Sequence, residues 1–376
     1  MDLVVLAEVR WGYFRTRKQF LLSRFPERWR VFYAQPPAFG QDDPWAPRRE
    51  GNVTYFTAPF LKTATTSRLY ERAAATAAGR AAIEWGAERW LQARLRGLGV
   101  EREPVALVSN IYCPGALAGL RARARFYDYN DNPFQFAGVP AWARSYWERT
   151  ARQIDAFFVV SEFYRRMLAA ETDRPITRIG NGVEFEHFAT PRPVAADLAA
   201  LPRPRIGYVG LLSHFLDFET LETLRRARRG GTLVLVGPPN PATTRQVADL
   251  AAREGVAVLG PRPYAEVPAI MQGLDVGVIP FRAQNRYVQG INPNKVYQFL
   301  AAGLPTVTTP VQDLDPVFPS LQFASTPTET AAAVGRALDE SVDAEACRAL
   351  ARPHDWSGLA ARMVSEIEHT LGMTSA

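Results

Sequence analysis

A lysine and a glutamine in one short predicted helix are well suited to bind an anion. They lie in Asn292–Val307, where the residues predict a loop, a short helix, a Gly-Leu-Pro turn and a strand. Lys295 and Gln298 are three residues apart and therefore share one face of the helix. Lys295 falls in the first turn, where free backbone N–H groups and the helix dipole attract anions. Because a lysine has the wrong charge for that dipole, the position suits an anionic ligand such as a diphosphate. An ordinary helix with a solvated lysine is the alternative.

Two carboxylates in the first half could serve as a general base. Asp128 and Asp131 lie in the segment Arg125–Phe134, directly after a predicted buried strand. A carboxylate at the carboxyl end of a strand is well placed to remove a proton from a bound hydroxyl group. The residue types alone do not say which of the two faces a ligand. Asp, Asn and Pro are also favoured in turns, so the same composition fits a purely structural loop.

Three glycine-containing turns in the second half, at 207–213, 236–240 and 259–264, each begin at a predicted strand. Glycine lets the backbone approach a ligand closely, and rigid Gly-Pro turns suit the edge of a planar base. Such turns also simply end strands, and an arginine there could pair with a phosphate or be a surface charge. The candidate ligand contacts in these turns and around the helix are Gly210, Ser213, Gly237, Pro238, Arg262, Tyr264, Asn292, Asn294, Lys295 and Gln298.

Other motifs that would identify an enzyme class are missing from the sequence. There is no G-x-G-x-x-G fingerprint and no P-loop, which disfavours a hydride-transfer enzyme and an NTPase. Cys113 and Cys347 have no second Cys or His at zinc-ligand spacing. No basic motif with interleaved stacking aromatics is visible, so we expect no nucleic-acid partner.

The composition is that of a globular protein, with 47% hydrophobic and 22% charged residues in a chain of 376. Two cysteines are too few for a disulfide framework, which indicates a reducing compartment. The start, Met1–Glu8, has an early acid and no basic region, so it predicts a first strand and not a signal peptide. No apolar run reaches the roughly 18 residues that span a bilayer. These features together predict a cytoplasmic protein.

Short apolar runs alternate with helical stretches, which predicts an α/β protein with parallel sheets. We expect a first domain at 1–190, a proline-rich linker at 191–203 and a second domain at 204–354. A tail helix at 355–376 is expected to pack back on the first domain. Two doubly wound domains of this kind bind ligands in a cleft at the carboxyl ends of their strands. The predicted strands are 3–7, 29–33, 53–57, 105–108, 124–127, 156–160, 204–210, 232–236, 257–259, 276–279, 305–308 and 322–324.

Taken in order, these segments resemble the GT-B glycosyltransferases. The resemblance runs through nearly the whole second half, from Ile206–Gly210 through Leu274–Pro280 to Asn294–Pro305. It includes Ile179–Val183 near the end of the first half. Within GT-B the chain is similar to bacterial exopolysaccharide transferases such as the xanthan glucuronosyltransferase. That enzyme has a similar lysine-to-glutamine helix followed by Gly-Leu-Pro.

The resemblance implies two Rossmann-like domains and a sugar transfer from a nucleotide sugar to a hydroxyl group. It makes Asp131 the general base, with Asp128 beside it, and it makes the ligand contacts given above the nucleotide-sugar site. Lys295 would contact the diphosphate or a donor sugar acid, Gln298 the nucleotide, and backbone near Arg262 the uracil or guanine. The resemblance also implies that neither a metal ion nor a separate cofactor is used. A UDP-sugar is favoured over a GDP- or dTDP-sugar.

Two departures from the common retaining members favour an inverting mechanism. Those members have Glu-x7-Glu in the region of Lys295, whereas Gln298 replaces one acid here and no acid occurs in Gly290–Thr309. They also carry basic residues soon after the first strand of the nucleotide domain, and Leu211–Glu219 contains no Lys or Arg. Lys295 therefore has more of the diphosphate to hold. A retaining transferase, a nucleotide-sugar 2-epimerase and a non-catalytic nucleotide-sugar binder remain as alternatives.

Positive charge is concentrated in the first half of the chain. The net charge is +6, and residues 1–197 hold 28 Lys and Arg against 21 Asp and Glu. The helical region 61–98 interleaves Arg and Lys with Tyr and Trp, which suits contact with an anionic membrane surface. We therefore expect a lipid-linked or oligosaccharide acceptor in surface polysaccharide synthesis, at the inner face of the cytoplasmic membrane. A solvated helix face is the alternative for this region.

Overall fold

The computed structural model describes residues 1–12, 15–39, 43–62, 67–135 and 138–373, and the structural statements below refer to these residues. The chain divides into two units. The first consists of Met1–Ile179 together with Leu359–Ala376, and the second is Gly180–Gly358. Each unit has its own sheet with helices packed against it.

The first unit is built on an eight-stranded sheet. Its described strands are β1 (Asp2–Leu6), β2 (Arg30–Gln35), β3 (Arg48–Glu50), β4 (Val53–Thr57), β5 (Val105–Val108), β6 (Ala124–Tyr129), β7 (Ala156–Val159) and β8 (Ile176–Arg178). They lie in the order β3-β4-β2-β1-β5-β6-β7-β8, and only the β3–β4 pair of this sheet is antiparallel. The described helices are α1 (Arg17–Leu22), α2 (Arg68–Ala75), α3 (Ala77–Gly97), α4 (Pro114–Gly119), α5 (Ala143–Ala151) and α6 (Glu162–Ala169).

The central strands explain where the chemistry of the first unit is placed. β1, β5 and β7 are buried along their whole length and rich in Val, Leu and Phe, as expected for parallel strands covered on both faces. β1, β5 and β6 are neighbours and run in the same direction. Their carboxyl ends therefore meet at one edge, where the chain continues into Glu8, Asn110 and Asp131.

The second unit has a six-stranded, wholly parallel sheet in the order β11-β10-β9-β12-β13-β14. Its described strands are β9 (Arg205–Val209), β10 (Thr232–Val236), β11 (Val256–Val258), β12 (Val276–Ile279), β13 (Thr306–Thr308) and β14 (Leu321–Phe323). The described helices are α7 (Phe185–Ala189), α8 (Ala196–Ala199), α9 (Phe218–Arg226), α10 (Thr244–Ala251), α11 (Val267–Met271), α12 (Arg286–Gly290), α13 (Asn294–Ala301), α14 (Pro327–Asp339) and α15 (Ala344–Ala351). The prediction of an α/β protein with parallel sheets is confirmed.

A last helix, α16 (Trp356–Thr370), returns the chain to the first unit. Its buried residues Leu359, Met363 and Ile367 recur every four positions along one face. Near its end, Glu368 accepts hydrogen bonds from Arg28 Nη2 at 2.9 Å and from Trp29 Nε1 at 3.1 Å. The apolar stripe and this charged contact together hold the helix against the first unit.

The proline-rich segment expected to be a linker packs along the second unit. Leu198 in α8 is completely buried, and the guanidinium group of Arg205 donates to the carbonyl oxygens of Ala199 and Leu201 at 2.7 and 2.9 Å. The division between the units falls at Ile179 and Gly180, before this segment. The proline content of the segment predicts a linker, but the burial of Leu198 cannot be predicted from composition.

The strand predictions agree with the structure within two residues at each end, and they omit β3 and β8. β3 is wholly exposed and reads Arg-Arg-Glu, so it has no apolar run to reveal it. The helical region predicted at 61–98 is divided into α2 and α3 at Thr76, and its residues 63–66 lie outside the described chain. Thr76 adopts extended backbone angles, and its hydroxyl accepts from Gly79 N at 3.0 Å as the N-cap of α3.

Candidate active site

Two glycines bring adjacent turns of the second unit into contact at the carboxyl edge of its sheet. Gly210 follows β9 and Gly237 follows β10, and both have positive φ angles, of 140° and 135°. A Cβ atom on Gly237 would lie 2.1 Å from the carbonyl oxygen of Gly210, so only glycine fits this approach. Gly237 N also donates to Gly260 O at 2.8 Å, which adds the turn after β11. The three predicted turns are thus neighbours.

Lys295 reaches this group of turns from the first turn of α13. A Cβ atom on Gly210 would lie 2.1 Å from Lys295 Cε and 2.9 Å from Nζ, so the ammonium group rests against the glycine backbone. Nζ also lies 5.9 Å from the ring centroid of Tyr208. Within the described chain, Lys295 makes no ion pair and no side-chain hydrogen bond. α13 has neither an acidic residue in its first turn nor a side-chain cap.

Burial lowers the pKa of Lys295 to about 8, because a low-dielectric setting disfavours the charged form. A carboxylate nearby would offset that cost, but the helix start supplies none. The site therefore holds a partly buried cation beside free backbone N–H groups. Such an arrangement is complementary to a phosphate group.

The other predicted contacts around α13 separate into two kinds. Asn292 is buried, and its Oδ1 accepts from Tyr297 Oη at 3.0 Å and from Asn181 N at 3.1 Å, so its side chain joins two segments of the second unit. Asn294 and Gln298 are partly exposed, like Lys295. These two remain the candidates for ligand contact.

The predicted contacts in the remaining turns are engaged by neighbours or exposed. The guanidinium group of Arg262 pairs with Asp197 and lies 3.9 Å from Glu266. The ring of Tyr264 stacks on His187 with centroids 5.0 Å apart. Ser213 is buried and accepts from Phe215 N at 3.4 Å, whereas Pro238 is exposed. Of the two cations among the predicted contacts, Arg262 therefore has an acidic partner and Lys295 has none in the described chain.

In the first unit, the structure separates the roles of the two candidate carboxylates. Arg17 Nε lies 3.1 Å from each carboxylate oxygen of Asp128, and both side chains are almost completely buried. Such a pair stabilises the fold only as long as both partners are present. Asp131 is partly exposed and lies just beyond β6, so it is the better placed of the two to act on a ligand.

A polar chain leads from Asp131 into the interior of the first unit. Asn130 Nδ2 donates to Asp131 Oδ2 at 2.7 Å, and Lys18 Nζ donates to Asn130 Oδ1 at 2.9 Å. Lys18 also pairs with Glu8 Oε1 at 2.5 Å. Sequence reasoning did not select Lys18, Asn130 or Glu8. One signal was available, since the chain contains only three lysines, at 18, 62 and 295, among 44 basic residues.

Asp131 borders a cavity of about 310 Å³ at the carboxyl edge of the first sheet. Polar groups of Glu8, Asn110 and Asp131 face apolar side chains that include Tyr112 and Val139. A small cavity with apolar walls and a few convergent polar groups is typical of a ligand site. Among the described residues, no group of three or more His, Cys, Asp or Glu is arranged to hold a metal ion.

Comparison with known proteins finds a family similarity in the second half of the chain and a shared fold over its whole length. Residues 203–365, which include the whole sheet of the second unit, match the family described as Glycosyl transferases group 1. Residues 203–365 are therefore similar to a group 1 glycosyltransferase domain, and the fold of the chain is GT-B. The resemblance stated from the sequence is confirmed at this level.

The chain is similar to TuaH of Bacillus subtilis (strain 168), a protein provisionally named a teichuronic acid biosynthesis glycosyltransferase. The two are 26% identical over 227 residues, and the match covers 56% of this chain and 56% of TuaH, so it spans about half of that relative. Sucrose-phosphate synthase from Thermosynechococcus elongatus shares the fold, with a TM-score of 0.74, 15% identity and 99% of each chain covered. So does the E. coli structure described as trehalose-6-phosphate bound with UDP-2-fluoro glucose. Its TM-score is 0.70 at 14% identity, with 98% of this chain and 99% of that chain covered.

Proposed function

We propose that this protein transfers a sugar from a nucleotide sugar to a hydroxyl group of a saccharide acceptor. The observation that carries the proposal is the Lys295 ammonium group, which rests against Gly210 at the start of α13 without a carboxylate partner in the described chain. A donor diphosphate would supply the missing negative charge. UDP is the favoured nucleotide, a preference supported by the E. coli fold relative bound with UDP-2-fluoro glucose.

The proposed chemistry is a direct displacement at the anomeric carbon. The acceptor oxygen attacks that carbon as its bond to the diphosphate oxygen breaks, and the hydroxyl proton passes to Asp131. Lys295 and the amides of α13 stabilise the departing diphosphate. A general base of this kind contributes roughly 10²–10⁴-fold to the rate. A single displacement inverts the anomeric configuration, and a retaining transfer is the alternative.

Lys295 carries more of the diphosphate in this proposal than it would in a site with several cations. Leu211–Glu219 contains no Lys or Arg, and Arg262 is paired with Asp197. Gln298 lies on the same helix face as Lys295 and is proposed to contact the nucleotide. Asn294 is close to both in sequence and partly exposed, so it joins this set.

The acceptor is proposed to be lipid-linked, within the synthesis of a surface polysaccharide. The name of TuaH supports this class of pathway. Within the described residues, no helix has the length and apolar character needed to cross a bilayer. On α2 and α3, Leu69 is 80% exposed and Trp85 is 62% exposed, and the guanidinium carbon of Arg89 lies 4.8 Å from the Trp85 ring. An exposed set of apolar and basic residues suits peripheral contact with anionic lipid.

The test is substitution of the proposed base in the full chain. Asp131→Asn keeps the shape of the side chain and removes its basicity, so we expect sugar transfer to fall by roughly 10² or more while UDP affinity is unchanged. A thermal-shift screen of UDP-, GDP- and dTDP-sugars first selects the donor, and NMR of the product anomer distinguishes inversion from retention. Asp155→Asn is the matched control, because Asp155 accepts from Arg125 N at the opposite end of β6. Near-normal transfer by Asp131→Asn would remove the assignment, and UDP binding without sugar transfer would indicate a non-catalytic binder.

A further inference from the structure

We infer that Lys18, acting through Asn130, orients the carboxylate of Asp131 and keeps it ionised. The catalytic importance of this arrangement rests on the proposed function. The coupling of the three side chains can be tested independently of it. Lys18 belongs to α1 and Asn130 follows β6, and 112 residues separate them along the chain. Both residues precede the region that is similar to the group 1 family, which begins at residue 203.

The orientation follows from the chemistry of the amide group. An amide has an acceptor end and a donor end, and an ammonium group can only be faced by the acceptor. Lys18 Nζ holds Asn130 Oδ1 at 2.9 Å, so the NH₂ group must point the other way, where it meets Asp131 Oδ2 at 2.7 Å. Asp131 therefore receives a donor whose direction is set by a buried cation.

Lys18 is itself held in place by its surroundings. Its side chain is 5% exposed and pairs with Glu8 Oε1 at 2.5 Å. The start of α1 is fixed by a capping box, in which Thr16 N donates to Gln19 Oε1 at 3.0 Å. Gln19 Nε2 in turn donates to Trp11 O at 3.0 Å. A cation on a short, anchored helix can position its partner, because its own freedom is already lost.

Other charged and titratable groups surround Asp131 and must be considered with Lys18. Glu8 lies beyond β1, and Asp128 on β6 is neutralised by Arg17 of α1. Burial first, and then the charge of Asp131, raises the pKa of Tyr164 on α6. The carboxylate of Glu8, which lines the same cavity, opposes ionisation of Asp131, whereas the Tyr164 phenol is uncharged at the pH where a carboxylate titrates. The Lys18–Asn130 chain works against the effect of Glu8.

The experiment follows the titration of Asp131 directly, by ¹³C NMR of aspartate-labelled full-length protein, with the signal identified by its loss in Asp131→Asn. Asn130→Asp puts a like charge beside Asp131, so its titration midpoint should rise by about one pH unit or more. Lys18→Met should raise the midpoint less, and Lys18→Arg should restore it. The acid limb of kcat/KM for the selected UDP-sugar should move with the midpoint.

Asn52→Asp is the matched control. Asn52 Nδ2 donates to Leu22 O at 3.3 Å and to Phe25 O at 3.2 Å, so it supports the other end of α1. The same change of amide to carboxylate there should lower stability without moving the midpoint. An unchanged midpoint in both Asn130→Asp and Lys18→Met would overturn the inference. If Asn130→Asp does not fold, the Lys18→Met and Lys18→Arg pair decides. Transfer activity in Asp131→Asn would overturn the proposed base alone, since the titration still reports the coupling.

Discussion

The charged side chain of Lys295 lowers the stability of the fold, because it is buried without a compensating charge. Its pKa is lowered by burial, and neither the start of α13 nor the turn at Gly210 provides a compensating carboxylate. Groups of this kind are expected at functional sites, where a ligand supplies what the empty protein lacks. Asp128 shows the opposite case, because its charge is matched by Arg17 within the fold. The contrast is between Lys295, for which the described chain supplies no carboxylate, and Asp128, whose charge is balanced within the fold.

Lys295→Met should therefore stabilise the protein and abolish UDP binding. The methionine keeps much of the apolar stem and removes the buried charge, so we expect the free energy of unfolding at pH 7 to rise by about 1 kcal/mol, a value discounted for the partial exposure of the side chain. Urea denaturation measures the first effect and titration calorimetry with UDP the second. Lys62→Met in the first unit is the control, and it should leave UDP affinity unchanged. Retained UDP affinity in Lys295→Met would contradict the assigned role.

The stability gain should depend on pH in a defined direction. The pKa of Lys295 is about 8 in the folded protein and 10.5 for an ordinary lysine, so the unfolded chain binds more protons between these values. The cost of the charged lysine is complete below pH 8 and disappears as the pH rises toward 10.5. The gain in Lys295→Met should shrink over the same range. UDP affinity of the unaltered protein should also weaken as the pH rises through about 8.

At the scale of elements, α8 shows how a segment with linker composition becomes part of a domain. Its single large apolar residue, Leu198, is completely buried, and Arg205 donates to the carbonyl groups that end the helix. Gly273 is packed tightly beneath it, since a Cβ atom there would lie 2.6 Å from Leu198 Cδ2. The prolines around α8 restrict the backbone but do not keep the segment in solvent.

Leu198→Ala should destabilise the second unit by about 2–5 kcal/mol, the range for truncating a buried leucine. The measurement is urea denaturation, monitored with a probe that reports on the second unit alone, such as the change in protein signal that UDP binding produces. Val317→Ala is the control, because Val317 is 44% exposed and should cost less than about 0.5 kcal/mol. A cost below 1 kcal/mol for Leu198→Ala would mean that the segment is only loosely attached.

At the scale of the whole molecule, the uneven distribution of charge would affect how an anionic partner binds. Residues 1–197 carry the positive excess, and the remaining residues hold 16 Lys and Arg against 17 Asp and Glu. In residues 67–97, all of which the structure describes, the exposed positions include Arg68, Arg72, Arg89 and Arg96 and no Asp or Glu. Every acid on these two helices is at least partly buried. The most exposed charges on α2 and α3 are therefore all positive, which would favour contact with an anionic surface.

Flotation with vesicles that contain anionic lipid tests this proposal. Binding at low salt should weaken about fivefold in Arg89→Ala, since one basic residue near such a surface contributes about 1 kcal/mol. Trp85→Ala should weaken it further by removing apolar area. Arg245→Ala on the second unit is the control, with a side chain that is 95% exposed. Absence of binding by the unaltered protein at low salt would remove the membrane from the proposal.

The local periodicity of the sequence determined the two parallel sheets and most strand limits, because buried parallel strands appear as short apolar runs. It also selected Lys295 and Gln298, whose three-residue spacing places them on one helix face. Strands without an apolar run, such as β3, were not predictable in this way. The helix division at Thr76 was also missed, since it depends on local hydrogen bonds of the Thr76 hydroxyl group.

Only the tertiary structure decided which charges are already paired. Asp128 and Asp131 are equivalent in the sequence, and Arg17, 111 residues away, distinguishes them. Arg262 is engaged by Asp197 and Lys18 by Glu8 and Asn130, again across long stretches of chain. The local sequence pattern predicts which residues share a face of a helix or strand, because this depends on the periodicity of the element. The pairing of distant charges depends on how strands are ordered in a sheet, and that order is a property of the folded chain.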